Sequence, residues 1–203
     1  MVRQLDLFSS PAPVAKGPAD FDRRFATLAR EDLGLGAWLD RQPAWVSNEQ
    51  ALFAELEREL PWRAESRPMY TRVVQVPRLL AQISSHPLIE AMRLALSERY
   101  GEDFVRTTAA LYRDGNDSVA FHGDTTARDM LQATVATVSL GTARKFLLKP
   151  TEGGKSQAYA LGGGDLVVMG GTCQRTWRHA IPKVTTDVGP RIAVMFRPNW
   201  DPP

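Results

Sequence analysis

The chain has 203 residues, of which 43% are hydrophobic, and a formal net charge of +2. The length and the hydrophobic content predict one folded domain with a substantial core, and the chain is short for two domains. The small positive charge permits a polyanionic partner without requiring one. The single cysteine, Cys173, excludes a disulfide framework, is expected to be buried, and is typical of a cytoplasmic protein. No apolar run reaches the length of a membrane-spanning helix, and nothing in the chain indicates an oligomer, so we expect a monomer without membrane association.

Residues 1–19 are predicted to form a flexible arm, because their serine, proline and glycine residues offer little to pack. Residues 20–203 are predicted to form the single domain. The arm contains a short apolar motif, made of Gln4, Leu5, Asp6, Leu7 and Phe8. This motif resembles the peptide by which bacterial repair and replication proteins dock on the sliding clamp, although it could equally pack on its own domain.

Two helices are predicted in the first half of the domain. The first begins after a capping residue, Ser47, and extends to Leu60, and the second begins at Pro87 and ends at Tyr100. His86 is then a cap or a surface histidine rather than a metal ligand. The apolar residues between Phe21 and Leu33 indicate a short helix or turn.

Residues 61–78, between the two helices, contain four arginines against one acid. Trp62, Met69 and Tyr70 are interleaved with these arginines. Such a segment can lie on phosphates while its rings stack on bases. The alternative is a structural hairpin whose aromatic residues reach the core.

From residue 105 onward the sequence predicts short strands separated by glycine-rich turns. The predicted strands are residues 105–113, 119–122, 133–140, 145–149, 157–161, 165–169, 176–182 and 191–197. No crossover of helix length occurs between them. The pattern therefore favours a two-sheet barrel or jelly roll over a parallel sheet.

His122 and Asp124 are two residues apart in an extended segment, so their side chains point the same way. If His179 approaches them, two imidazoles and one carboxylate would occupy one face of a metal and leave the opposite positions open. This arrangement is typical of non-haem Fe(II) oxygenases. The alternative is a strand end whose histidine is satisfied by a neighbour.

The last predicted strand alternates with period two, which places Arg191 and Arg197 on one face together with Ala193. Two arginines that face one cavity suit a dicarboxylate, since each guanidinium can bind a carboxylate through two parallel hydrogen bonds. The alternative is a solvated pair of arginines on an edge strand.

These motifs occur in an order and spacing that resemble the AlkB family of Fe(II)- and 2-oxoglutarate-dependent dioxygenases, over residues 61–198. The segments that carry the resemblance are Tyr112-Arg113-Asp114-Gly115, Asp117, His122-Gly123-Asp124, Val138-Ser139-Leu140-Gly141, Arg144-Lys145-Phe146, Gly164-Asp165-Leu166-Val167-Val168-Met169, Trp177-Arg178-His179-Ala180-Ile181-Pro182-Lys183 and residues 191–197.

The resemblance implies an α+β, mainly β fold, in which a double-stranded β-helix (jelly roll) at residues 105–198 is supported by N-terminal helices. It implies Fe(II) on His122, Asp124 and His179. It further implies 2-oxoglutarate on Arg191 and Tyr112, with Arg197 near its metal-proximal end, and O2 as the oxidant. Residues 61–78 would form a lid over the substrate base. The implied substrate-binding residues are Trp62, Arg63, Met69, Tyr70, Arg78, Thr126 and Trp177.

The implied activity is oxidative demethylation of N-alkylated bases such as 1-methyladenine and 3-methylcytosine in DNA or RNA, with release of formaldehyde and succinate. The chain departs from the family pattern at Ala110 and Ala193, where the family often has asparagine, and at Thr126, which is often acidic. Two alternatives therefore stay open: a dioxygenase acting on a protein or small molecule, and a catalytically weak module that binds nucleic acid or the clamp.

Overall fold

The computed structural model describes residues 17–69, 72–124 and 130–199, with side chains outside 66–76. The predicted clamp motif at residues 4–8, the side chain of Met69, and both Tyr70 and Thr126 lie outside this description, and their predicted roles stay predictions. None of the described helices is long and apolar enough to span a membrane.

The described part of the chain is built mainly from antiparallel strands. In chain order the elements are β1 (Asp20–Phe21), β2 (Ala29–Gly34), β3 (Ala37–Gln42), β4 (Val46–Ser47), α1 (Glu49–Glu59), β5 (Arg63–Met69), β6 (Arg72–Gln82), α2 (Pro87–Tyr100), β7 (Phe104–Tyr112), β8 (Val119–His122), β9 (Val135–Gly141), β10 (Arg144–Pro150), β11 (Gln157–Leu161), β12 (Asp165–Gly171), α3 (Cys173–Thr176), β13 (Trp177–Ile181) and β14 (Arg191–Pro198).

Two sheets form the body of the fold. The large sheet has the strand order β2-β3-β12-β9-β14-β7-β6-β5, and the small sheet has the order β11-β10-β13-β8. Sequence neighbours such as β13 and β14 lie in different sheets, as expected for a jelly roll. The predicted mainly β fold with supporting helices is confirmed.

Each face of the large sheet covers a separate hydrophobic core. On β14, Ile192, Val194 and Phe196 pack with residues of α1 and α2 in what we call the helix-side core. Ala193, on the opposite face, packs with Phe146 of the small sheet and with Cys173 in the inter-sheet core. The period-two alternation of β14 therefore sorts its residues between the two cores, as predicted. Burial raises the pKa of the Cys173 thiol to about 12, in keeping with the predicted buried role.

Three local predictions have definite outcomes. Of the short helix or turn predicted between Phe21 and Leu33, the turn is confirmed at residues 22–28, where the backbone N–H groups of Phe25 and Leu28 donate three residues back. The helix is wrong, because the ends of this stretch form β1 and β2, which pair with β4 and β3. Ser47 is not the helix cap: it lies in β4, and the left-handed residue Asn48 precedes α1. His86 is confirmed as a cap, since its Nδ1 accepts a hydrogen bond from the backbone N–H of Ile89 at 3.3 Å.

The segment predicted as a lid, residues 61–78, lies largely in the hairpin of β5 and β6 at one edge of the large sheet. Its strand β6 pairs with β7, with Leu79 opposite Leu111 and Leu80 opposite Ala110. The base of the hairpin is therefore fixed to the sheet that carries Tyr112.

Candidate metal centre and co-substrate pocket

Strand pairing in the small sheet brings the two predicted histidine ligands together. His122 in β8 lies directly opposite His179 in β13, and their ring centroids are 4.2 Å apart. Residues that are opposite each other on antiparallel strands share a face. Asp124 follows two residues after His122, and one ligand atom from each of the three residues lies within 4.8 Å of the others. The predicted triad is thus assembled in space.

Two neighbours fix the position of Asp124, which is 7% exposed. The Nε of Arg197 donates a hydrogen bond to the Oδ2 of Asp124 at 2.6 Å. The backbone N–H of Asp124 donates to the Oε1 of Gln174 at 2.8 Å. Gly123 passes so close to α3 that an added Cβ would lie 2.7 Å from the Gln174 carbonyl oxygen. The close approach requires glycine between the two ligands.

Sequence reasoning missed Gln174. It is buried and lies 50 residues from the aspartate that it holds. No local pattern marks it, because a single glutamine in a four-residue helix has no motif. Its contact with Asp124 identifies it as a positioning residue for the triad.

The protonation states of the triad suit a metal. Burial lowers the pKa of His179 to about 3, and it also lowers the pKa of His122, so both rings are neutral near pH 7. Burial by itself would raise the pKa of the Asp124 carboxyl, but the charge and hydrogen bond of Arg197 outweigh this effect and hold it below its usual value. Nδ1 of His122 lies 2.8 Å from the Ala120 carbonyl oxygen. A proton on Nδ1 leaves the Nε2 lone pair for the metal.

These shifts predict how the stability of the metal-free protein depends on pH. An unfolded histidine takes up a proton near pH 6.5, whereas His179 stays neutral in the folded state to about pH 3. Below pH 6.5 the unfolded state therefore binds more protons than the folded state. As the pH decreases from there, this residue should lower the free energy of unfolding by up to about 1.4 kcal/mol per pH unit. Urea unfolding of chelator-treated protein from pH 7.5 to pH 5 measures this slope. His179→Asn should flatten the slope, and equal slopes in both proteins would contradict the assignment.

A cluster of arginines surrounds Tyr112 in the inter-sheet core. Arg191 is 1% exposed, and its Nη2 donates a hydrogen bond to Ser139 Oγ at 2.6 Å. Its Nε and Nη1 are buried without a hydrogen-bond partner among the described residues. The guanidinium carbon lies 5.2 Å from the centre of the Tyr112 ring. Burial lowers the pKa of Arg191 below its usual value, and the opposing interaction with Tyr112 does not outweigh this effect.

The predicted substrate-binding residues are distributed over both sides of the large sheet. Trp177 is buried and lines a cleft of about 370 Å³ together with the ligands His122 and Asp124. Arg63 is exposed on β5. Trp62 is not brought to the metal site: it packs on the helix-side core and its Nε1 donates to the Glu57 carbonyl oxygen at 3.0 Å.

Comparison with known proteins gives a consistent result. The profile of the 2OG-Fe(II) oxygenase superfamily matches residues 62–197. The chain is 27% identical to alpha-ketoglutarate-dependent dioxygenase alkB homolog 3 of Bos taurus over 188 residues, which are 79% of this chain and 66% of the relative. It is 24% identical over 217 residues to the DNA oxidative demethylase ALKBH2 of Arabidopsis thaliana, covering 82% of this chain and 68% of that protein.

Among solved structures, the fold is similar to that of OsALKBH1, with a TM-score of 0.58 and 12% identity over 84% of this chain and 100% of that chain. At this identity the likeness concerns the fold alone. The chain spans slightly less than two thirds of the length of the bovine AlkB homolog 3.

The fold and the arrangement of the site are those of the jelly-roll class to which 2-oxoglutarate-dependent oxygenases belong. The chain belongs to the 2OG-Fe(II) oxygenase superfamily, and its similarity to the AlkB homologues confirms the resemblance seen in the sequence.

The residues present fit the cofactors of this family, which are Fe(II), 2-oxoglutarate and O2. Two neutral imidazoles and one ionised carboxylate form the donor set that non-haem Fe(II) prefers. His122, Asp124 and His179 would hold Fe(II), which would supply O2 activation coupled to decarboxylation of 2-oxoglutarate. Arg191 would provide a cationic partner for a carboxylate of the co-substrate.

Proposed function

We propose that the protein is an Fe(II)- and 2-oxoglutarate-dependent dioxygenase that demethylates N-alkylated bases in DNA or RNA. Its reaction would convert 2-oxoglutarate, O2 and an N-methyl base into succinate, CO2, formaldehyde and the unmodified base. The relatives named AlkB homolog 3 and DNA oxidative demethylase ALKBH2 support this chemistry.

The observation that carries the proposal is the composition of a cleft lined by two of the triad residues, His122 and Asp124. Its lining also includes two aromatic side chains, Phe121 and Trp177, and two cations, Arg175 and Arg178. Phe121 and Arg178 precede His122 and His179 on their strands, so they project from the outer face of the small sheet, where a flanking nucleotide would lie. Phe121 is 37% exposed although it is large and apolar. Aromatic side chains stack on bases and arginines contact phosphates, so this combination suits a nucleotide.

The roles of individual residues follow from their positions. His122, Asp124 and His179 would bind Fe(II), and Tyr112 and Arg191 would bind 2-oxoglutarate. Arg197 would hold Asp124 through its hydrogen bond. Trp177, on the same face of β13 as His179, would contact the target base, which must leave a duplex stack to reach the metal, and the exposed Phe121 would contact a neighbouring base. A single-stranded target avoids most of that cost.

A demethylation assay tests the proposal directly. Purified protein is incubated with Fe(II), ascorbate, 2-oxoglutarate and a single-stranded oligonucleotide that carries 1-methyladenine or 3-methylcytosine. We expect loss of the methyl group by mass spectrometry, with succinate and formaldehyde formed in equal amounts and nothing formed without 2-oxoglutarate. Succinate formation stimulated by a protein or small molecule, but not by the oligonucleotide, would overturn the nucleic-acid assignment.

A further inference from the structure

The inter-sheet core holds more positive charge beside Tyr112 than Arg191 alone supplies. Arg78 and Arg144 also face this ring, each with its guanidinium carbon 5.9 Å from the ring centre. The hydrogen bonds of the two differ. Arg144 donates to three backbone carbonyl oxygens, those of Asp114, Asp117 and Pro182, at 2.8 to 2.9 Å. Its Nη1 and Nη2 are therefore committed to holding loops together, and its Nε alone is buried without a partner among the described residues.

Arg78 has no such commitment at two of its nitrogens. Its Nε and Nη1 are buried and lack a hydrogen-bond partner among the described residues. Leaving buried N–H groups of a cation unpaired is costly, and native proteins rarely do so without a ligand or water to bind. Arg191, which also lies over the Tyr112 ring, shows the same feature.

The position of Arg78 suits a ligand in the inter-sheet core rather than one on the outer surface. On β6 it precedes Leu79 and Leu80, which pair with Leu111 and Ala110 of β7, so it lies beside Tyr112 at the end of the same ladder. The residue before it, Pro77, accepts a hydrogen bond from the backbone N–H of Ser118 at 2.8 Å, and β6 contacts β8, the strand that carries His122. The backbone of Arg78 is thus held between Tyr112 and the strand of the triad.

Two neighbouring positions on the inter-sheet face of the large sheet offer 2-oxoglutarate no side-chain hydrogen-bond donor. Ala110 and Ala193 are buried opposite each other on β7 and β14 and carry no hydrogen-bond donor in their side chains. 2-Oxoglutarate has two carboxylates and a keto oxygen to satisfy. We propose that Arg78 is a 2-oxoglutarate-binding residue, which donates its unpaired N–H groups to the co-substrate from the base of the β5–β6 hairpin. The inference rests on the 2-oxoglutarate dependence of the proposed function but not on its nucleic-acid substrate.

The test measures co-substrate binding without turnover. The dissociation constant of 2-oxoglutarate is determined by calorimetry on Mn(II)-loaded protein under anaerobic conditions. Arg78→Met should weaken binding roughly tenfold to a hundredfold, the effect of losing hydrogen bonds to a charged group, and Arg78→Lys should recover part of it. The control is Arg58→Met, which removes an exposed arginine on α1 and should change binding less than about twofold. Affinity for a single-stranded oligonucleotide should be the same in Arg78→Met and wild type.

Unchanged 2-oxoglutarate affinity in Arg78→Met would overturn the proposal, and a simultaneous loss of oligonucleotide affinity would assign Arg78 to the nucleic acid instead. A second variant, Arg78→Gln, keeps a polar side chain at this position if Arg78→Met does not fold. Arg78→Gln should also weaken 2-oxoglutarate binding, whereas wild-type affinity in a folded Arg78→Gln protein would contradict the proposal. Neither measurement depends on demethylation, so failure of the nucleic-acid assignment would leave both readable.

Discussion

Asp124→Ala is expected to eliminate Fe(II) binding and to lower demethylation by more than about a hundredfold. Changes to residues that merely support a metal ligand already cost roughly 10-fold to 100-fold in metal affinity or activity, and Asp124 is the only anionic member of the triad. Its removal also releases Arg197, whose Nε then loses its carboxylate partner. An unpaired cation would remain beside the two histidines and repel a divalent metal.

Calorimetric titration with Mn(II) and the oligonucleotide assay measure the two effects separately. The chain offers a matched control in His86, the histidine that caps α2 and lies outside the triad. His86→Ala should leave metal binding and turnover unchanged while it lowers the free energy of unfolding by about 1 kcal/mol through loss of the cap. An Asp124→Ala protein that retains more than about a tenth of wild-type turnover would remove Asp124 from the ligand set.

The features that the sequence predicts well are those set by local backbone geometry. Side chains alternate along a strand, so the pattern of residues 191–197 already separates Ile192 and Phe196 from Arg191 and Arg197. The pairing of His122 and Asp124 on one side of the chain follows from the same rule. The resemblance then supplied His179, which the register of β8 and β13 places opposite His122.

Features that depend on long-range pairing were beyond the sequence. The stretch from Phe21 to Leu33 has apolar residues that suit a helix, but edge pairing with β3 and β4 makes its ends extended. Burial of Arg191 was equally undecided, because an arginine on an edge strand is normally solvated. Only the position of β14 between β7 and β9 in the large sheet shows that this side chain is enclosed.

Substitution of the buried Arg191 should have the second large effect, because 2-oxoglutarate binding is lost while the free energy of unfolding rises. Arg191→Met should abolish 2-oxoglutarate binding, because it removes a guanidinium whose Nε and Nη1 have no other partner among the described residues. The same change should raise the free energy of unfolding of the protein without metal and co-substrate by about 1–3 kcal/mol. Burying an unpaired charge is costly, and an apolar side chain of similar size avoids that cost.

Arg144→Met is the matched control, since Arg144 is also buried and also faces Tyr112. Its guanidinium donates to the carbonyl oxygens of Asp114, Asp117 and Pro182, and the substitution would leave these acceptors unpaired. We therefore expect Arg144→Met to lower the free energy of unfolding by about 3 kcal/mol, the cost of unsatisfied buried polar groups. Two arginine-to-methionine substitutions beside the same Tyr112 ring should thus change the free energy of unfolding in opposite directions, which urea unfolding distinguishes.

Addition of 2-oxoglutarate should stabilise the wild-type protein but not the Arg191→Met protein. A ligand that binds only the folded state stabilises it by about 2.7 kcal/mol at a concentration one hundred times its dissociation constant. Mn(II)-loaded wild-type protein should therefore unfold at a higher temperature when 2-oxoglutarate is added, whereas Arg191→Met should not respond. An Arg191→Met protein that is less stable than wild type without ligand, or that is stabilised equally by 2-oxoglutarate, would show that the cation serves the fold and not the co-substrate. An Arg191→Met protein that is more stable than wild type without ligand and does not respond to 2-oxoglutarate would mean that the protein retains an unfavourable buried charge because the charge binds a carboxylate.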